Sequence, residues 1–273
     1  MTTAIASLAE APAPTVGEII NGLQRRVSAS RLNAFLSCRL KFWFRYVEGL
    51  DKAKTPALHI GTAVHSVLRA WNMGRWKCQP LTLKMLHDQY SKAWADVGDQ
   101  PIKWDDGEEA EEKATGWRIV ETYIRESKIP ESLKPDAVEV SVEAVPSQHG
   151  LPSLIGVLDL VQGGVIIDYK TAGQTPNAER AIHTNEVQTS IYAMLYRDAK
   201  ATREDGIEVH TLVKTKTPKL VVTASPPMTE QQQTRLFKQV EAYVHGLDMR
   251  DFVPSPGMQC ASCQFFNECR RWS

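Results

Sequence analysis

The sequence predicts an α/β fold, a central mixed sheet flanked by helices, and three observations carry that expectation. Residues 154–161 and 165–170 are rich in Val, Ile and Leu and meet at Gly163-Gly164, the composition of two strands joined by a tight hairpin. Apolar residues recur at helical spacing in Val64, Val67, Leu68 and Trp71, and again in Val187, Ile191 and Leu195. A strand-like run at 206–214 follows the second stripe, and Thr229 with Gln232 three positions on forms a capping box that opens another helix.

The remaining elements follow in chain order. An Ala/Pro-rich opening, through about Pro14, reads as a mobile tail, and residues 1–27 are taken as a mobile segment ahead of a domain at 28–253. From about Ser30 a helix is expected whose core-facing stripe is Leu32, Phe35, Leu36, Trp43 and Val47. Residues 81–130 read as a helical insertion rich in Glu, Asp and Trp, interrupted around 98–107. Residues 138–145 alternate, with Glu139, Ser141 and Glu143 opposite the valines and Glu143 expected in solvent. A helix over 178–199 puts Gln188 and Tyr192, four apart, on one face. Lys214, Lys216 and Lys219 fit a solvated strand edge.

The 273 residues suffice for one substantial core with an insertion or appendage. The 32 basic and 32 acidic residues balance, so any nucleic-acid contact must come from local patches. No apolar run is long enough to span a bilayer, and the start lacks a basic region followed by a long apolar one. A soluble, cytoplasmic protein is expected. No internal repeat is visible.

The hairpin carries the chemistry. A two-residue Gly163-Gly164 loop pairs Gln162 with Val165 and, counting outward, Asp159 with Asp168. Opposed residues lie about 4.5–5.5 Å apart at Cβ, where like charges are destabilising. Lys170 shares the strand face of Asp168 and offsets part of the repulsion. A divalent cation between the carboxylates removes the rest, and oxygen ligands select Mg2+ or Mn2+. Two carboxylates, a lysine and a hard cation are what a metal-dependent nuclease needs.

The cysteines carry a second signal. Cys260, Cys263 and Cys269 form C-x2-C-x5-C in a segment, 254–273, introduced by Pro254, Pro256 and Gly257. Three clustered thiols in a chain expected inside the cell point to metal ligation, with a fourth ligand from Cys38 or Cys78. Zinc and an iron-sulfur cluster both accept four thiolates, and spacing does not separate them.

With these residues in view, the chain from about Ser28 to Cys269 resembles the RecB-like branch of the PD-(D/E)XK nucleases, in the iron-sulfur subgroup of the AddB nuclease domain and the CRISPR-associated RecB-like exonucleases. Gly61-Thr62-Ala63-Val64-His65 is similar to the family's histidine motif. Gly156-x-x-Asp159, Asp168-Tyr169-Lys170 and Gln188-x3-Tyr192 resemble the motifs that follow it, in order. The resemblance implies a restriction-endonuclease-like core. In it His65, Asp159, Asp168 and the Tyr169 backbone carbonyl hold the metal, Lys170 assists catalysis, and Gln188 and Tyr192 position the DNA.

It also implies that Cys38 joins Cys260, Cys263 and Cys269 around a 4Fe-4S cluster, folding the C-terminal segment back on the N-terminal helix. Arg39 stands where many relatives have proline, and the third motif begins with Asp where Glu is commoner. Lys41 and Arg45, among Phe42, Trp43, Phe44 and Tyr46, are candidate phosphate contacts, and Trp43 is expected in the core. No G-x4-G-K-[ST] loop is present, so a helicase motor would belong to a recombination or CRISPR partner. The resemblance implies a DNA exonuclease acting on single strands or ends in recombination, repair, phage DNA metabolism or CRISPR adaptation. The alternative is a nucleic-acid-binding or assembly subunit with the same fold that cuts only within a complex or not at all.

Overall fold

Thr15 caps helix α1 (Val16–Arg25) through a capping box with Glu18, and Arg26–Ser28 continues as strand β1. Residues 16–27, expected ahead of the domain, thus form a helix and the start of a strand. The computed structural model describes residues 13–98, 101–146 and 149–272, so most of the expected tail lies outside the described residues. Ser28 caps α2 (Ala29–Ser37). The helix expected to run through to Val47 instead breaks at Cys38, whose backbone is extended. It resumes as a short turn, α3 (Arg39–Phe42), and a π-helical turn at Trp43–Val47. The break has a cause: the Leu40 N–H donates to the Val253 carbonyl at 3.1 Å, so the C-terminal segment holds the chain where α2 would have continued. Leu36, expected in the core, is exposed as a result.

Helix α4 (Pro56–Trp76) is capped by Thr55 and carries the stripe Val64, Val67, Leu68 and Trp71, all buried. The insertion supplies α5 (Leu83–Ala95) and α6 (Glu108–Glu126), which pack with α4 over one face of the sheet.

Strand β3 (Ser153–Gln162) organises the six-stranded mixed sheet. Strand β2 (Ala137–Ala144) runs antiparallel along one edge of it, from Ala137↔Val161 to Ala144↔Leu154. The other edge is shared: β1 pairs in parallel with residues 153–155, and β4 (Val165–Ala172) pairs antiparallel with residues 160–162. Between them residues 156–159 have no strand on that edge. Strands β5 (Gly206–Val213), parallel to β4, and β6 (Lys219–Ser225), antiparallel to β5, complete the sheet. The helix expected over 178–199 is split at Asn185 into α7 (Ala178–Thr184) and α8 (Glu186–Lys200). Helix α9 (Glu230–Asp248) opens with the Thr229/Gln232 capping box.

Two cores cover the two faces. Ile166 joins the one beneath α1, α2, α8 and α9, and its neighbour Ile167 the one beneath α4, α5 and α6. The alternation changes phase in β3 and β2 together. Leu158 lies in the first core but Leu160 in the second, and Ala144 in the first but Val138 in the second. A regular strand keeps residues two apart on one face. The turnover falls at Asp159 and at Glu139, which stands beside it with φ 47°. A non-glycine residue there costs about 1–2 kcal/mol.

The C-terminal segment, a 3-10 turn at Met258–Ser262 and α10 (Phe266–Arg271), folds back on α3. Phe265 packs with Leu40 and Phe44, Arg39 pairs with Asp251, and Lys52 Nζ lies 2.6 Å from Glu268.

Candidate active site

The hairpin register is the one expected as far as Leu160↔Ile167, and Gly163 and Gly164 take the positive φ (56° and 76°) that a two-residue turn requires. The ladder then stops, and Asp159 does not pair with Asp168. Beyond Leu160 the free edge of β3 leaves β4, and the Asp159 carboxylate fills the opening by accepting the Tyr169 N–H at 3.0 Å.

Asp168 is buried and faces α8, where Gln188 Nε2 donates to its Oδ1 at 2.9 Å. The Lys170 ammonium lies 2.8 Å from Asp168 Oδ2 and donates to Gln188 Oε1 at 2.8 Å. Gln188 Nε2 also reaches the Tyr192 hydroxyl at 2.8 Å. From α4, His65 Nδ1 stands 3.7 Å from Asp159 Oδ1. The structure thus brings His65, Asp159, Asp168, Tyr169, Lys170, Gln188 and Tyr192 to one place.

Burial raises the Asp168 pKa, and the nearby Asp159 charge adds to the rise while Lys170 opposes it. Burial alone would lower the His65 pKa, but the Asp159 and Asp168 carboxylates outweigh it and the net shift is upward. Asp168 Oδ2 is buried, and its one close polar neighbour is the Lys170 ammonium of the ion pair. Among the described residues no three His, Cys, Asp or Glu side chains stand in ligating arrangement. The donors nonetheless suit a hard divalent ion: two carboxylates, one with an orphaned buried oxygen, and an imidazole beside them.

Gly156 has a physical reason. A Cβ there would lie 2.8 Å from Leu195 Cδ1 and 3.3 Å from Tyr192 Cε1, so its absence lets α8 lie against the free edge of β3. We expect Gly156→Ala to push Tyr192 and Gln188 off Asp168, lowering turnover more than ~10-fold at a stability cost of about 1–3 kcal/mol. Steady-state kinetics beside thermal melts check this.

Several residues of the site had no sequence signal. Behind Asp168, the Tyr169 ring enters a buried polar network. Asn72 Nδ2 donates to the Tyr169 hydroxyl at 2.9 Å, and the Tyr123 hydroxyl lies 3.2 Å from it and 3.1 Å from His210 Nδ1. His210 Nε2 meets Glu208 at 2.7 Å. The partners come from α4, α6 and β5, and only the fold assembles them. They hold the backbone that joins Asp168 to Lys170.

Two clefts flank the carboxylates and share Glu139. One, of about 730 Å³, includes Asp159, Gln188 and Tyr192, and the other, of about 590 Å³, includes His65, Arg69 and Lys170. Glu143 remains exposed but is engaged, paired with Arg26 at 2.7 Å on the wall of the first. Lys41 and Arg45 line neither cleft: Lys41 borders the cysteine pocket, and Arg45 a neighbouring one with Lys52 and Lys54. Trp43 is half-buried against the first core. Lys214 is held by Glu112 at 2.5 Å, against its expected place on a solvated edge.

Cys38, Cys260, Cys263 and Cys269 line a single pocket with Leu40, Phe44 and Phe265, while Cys78 is exposed and apart. Burial and the proximity of Cys38, Cys263 and Cys260 raise the Cys269 pKa. The four thiols share one apolar pocket without standing in ligating arrangement, and thiolates are the donors that a soft metal or an iron-sulfur cluster takes.

A family model described as the PD-(D/E)XK nuclease superfamily matches residues 26–270. A solved structure from Eubacterium rectale, described as a "Putative exonuclease", superposes with a TM-score of 0.61 at 12% identity, covering 100% of this chain and 94% of its own. A second structure, SSO0001, reaches a TM-score of only 0.36 at 12% identity over 88% of this chain and 92% of its own, and carries no argument. No curated protein matches the sequence. The first likeness bears on fold, and it agrees with the expected restriction-endonuclease-like core, a mixed sheet flanked by helices. No described helix is long and apolar enough to cross a membrane.

Proposed function

The chain belongs to the PD-(D/E)XK nuclease superfamily, and from that membership we propose that it is a Mg2+- or Mn2+-dependent deoxyribonuclease of the RecB-like, iron-sulfur branch. It acts as an exonuclease on single-stranded DNA or DNA ends. One observation carries the reading: buried Asp168, bridged by Lys170 and Gln188, beside Asp159 and His65, which line the two clefts that meet there.

Asp159, Asp168, His65 and the Tyr169 carbonyl would hold the cation, which supplies Lewis acidity to activate a water and neutralise the scissile phosphate. Lys170 orients the attacking water or balances charge developing on the phosphate, and Gln188 fixes both Lys170 and Asp168. Tyr192, bonded to Gln188, borders the strand. Cys38, Cys260, Cys263 and Cys269 would hold a 4Fe-4S cluster, with zinc the alternative, and it fastens residues 254–273 to the nuclease domain. The protein works in the cytoplasm on recombination, repair, phage or CRISPR intermediates, with any helicase motor supplied by a partner.

The test is protein purified anaerobically and given Mg2+ or Mn2+ with end-labelled single-stranded, duplex and circular DNA. Stepwise release from ends with circles intact is the expected result. Cleavage of circles would make it an endonuclease, and cleavage of no substrate would leave the binding or assembly subunit.

A further inference from the structure

We propose that Arg69 is a phosphate-binding residue for the DNA strand, held in reserve in the free protein by Glu139. The proposal rests on the nuclease reading above and adds a subsite to it, for the phosphodiester group adjoining the one cut.

Arg69 follows His65 by four residues on α4, about 6 Å along the helix. Both line the same cleft, so Arg69 lies one step along the groove from the proposed metal ligands. Lys170, the other cation of that wall, is engaged by Asp168 and Gln188. Arg69 pairs instead with Glu139, and both side chains keep solvent contact, at 60% and 33% exposure. An ion pair that open is readily exchanged for a phosphate, which a guanidinium grips with two parallel hydrogen bonds.

Glu139 is the less expected half. It takes φ 47° inside a strand whose neighbours Val138 and Val140 both keep their ladder partners. Such a backbone persists only where its surroundings enforce it, and it clusters at functional sites. Here the distortion coincides with the turnover of β2 from one core to the other and leaves Glu139 in both clefts, where they meet beside Asp159. A carboxylate at that junction repels a phosphate backbone, and its pairing with Arg69 masks the guanidinium of the second cleft's lining. A strand entering the groove trades places with Glu139. The exchange gives the empty groove a near-neutral surface and the occupied one a cationic clamp.

The two variants are expected to move in opposite directions. Affinity for a fluorescein-labelled oligothymidylate, measured with Ca2+ across a salt series, should fall about tenfold at low salt in Arg69→Ala, with the salt slope shallower by about 0.7. Arg69→Lys should recover part of the loss. Glu139→Gln should bind a few-fold tighter than wild type, since it unmasks the arginine. Unchanged affinity and slope in Arg69→Ala, or an equal loss in Glu139→Gln, would overturn the subsite, the second outcome marking the pair as structural. If wild type cleaves while Arg69→Ala binds normally, only this subsite fails. A wild type that neither binds nor cuts removes the nuclease reading with it.

Discussion

Replacing Asp168 with asparagine should abolish the proposed cleavage and raise the melting temperature of the metal-free protein. The two effects have one source. Asp168 is buried, its Oδ2 lacks a hydrogen bond, and burial with the Asp159 charge holds its pKa above the ordinary carboxylate value. An acid whose folded pKa is raised contributes stability that is fully present below its unfolded pKa, about 3.9, and is lost as pH rises through the folded pKa. At neutral pH the ionised carboxylate is thus a cost to the fold, one that the proposed metal site would account for. Asparagine keeps the size and, through its Oδ1, the Gln188 contact, and it removes that cost together with the proposed metal ligand. Activity should fall below about a thousandth of wild type, and Tm should rise about 2–4 °C for each ~1 kcal/mol recovered.

The stability gap between variant and wild type should widen as pH rises from 4 toward 8, and added Mg2+ or Mn2+ should stabilise wild type alone. Lys170→Ala should also lose cleavage but lower Tm, because it strips Asp168 of its partner, a loss limited by protonation of the carboxyl. Full activity in Asp168→Asn and Lys170→Ala would remove both residues from the catalytic set. A lower Tm in Asp168→Asn would contradict the electrostatic account.

What the sequence disclosed and what it withheld divide along physical lines. The hairpin was legible because a Gly-Gly turn sets register locally, and Gln162↔Val165 follows from it. The failure of Asp159 to face Asp168 was not legible, nor was the pairing of β1 with the far part of the same edge of β3 from more than a hundred residues away. The strand is only three residues long, and nothing in Arg26-Val27-Ser28 announces a partner. Helix α1 did leave a signal, the Thr15/Glu18 box, which the Ala/Pro-rich opening obscured. Gln188 and Tyr192 were readable as one helix face, since four residues make one turn. Their contact with Asp168 and Gly156 required the packing of α8 on β3. Tyr123, His210 and Asn72 lie on three elements and meet only through the second core, so no local pattern marks them.

If the four cysteines hold the proposed iron-sulfur cluster, replacing Cys260 with serine should cost the protein visible absorbance and much of its stability, while Cys78→Ser should change neither. The C-terminal segment has little to hold it unaided. Its apolar anchor is a cluster of Phe265 with Leu40 and Phe44, and its polar ties, Lys52 to Glu268 and Gln264 to the Ala53 carbonyl, are few and partly exposed. A cluster on the four thiols, as proposed, would supply what the core does not. A link between Cys38 and the C-terminal cysteines closes more than two hundred residues of chain. A cross-link of that span removes on the order of 5 kcal/mol of freedom from the unfolded state in the chain-entropy model, and metal affinity couples to folding in the same way. The expected consequence of Cys260→Ser is loss of visible absorbance with a Tm lower by about 10 °C. The effect should reach the active domain through Cys38, because the break at that residue ends α2, whose N-terminal residues Ser28 and Ser30 line the cleft beside Asp159. A colourless wild type holding one zinc per chain would assign the same four ligands to zinc. Wild type free of bound metal, with the Tm of Cys260→Ser unchanged, would show that the cysteines serve packing alone.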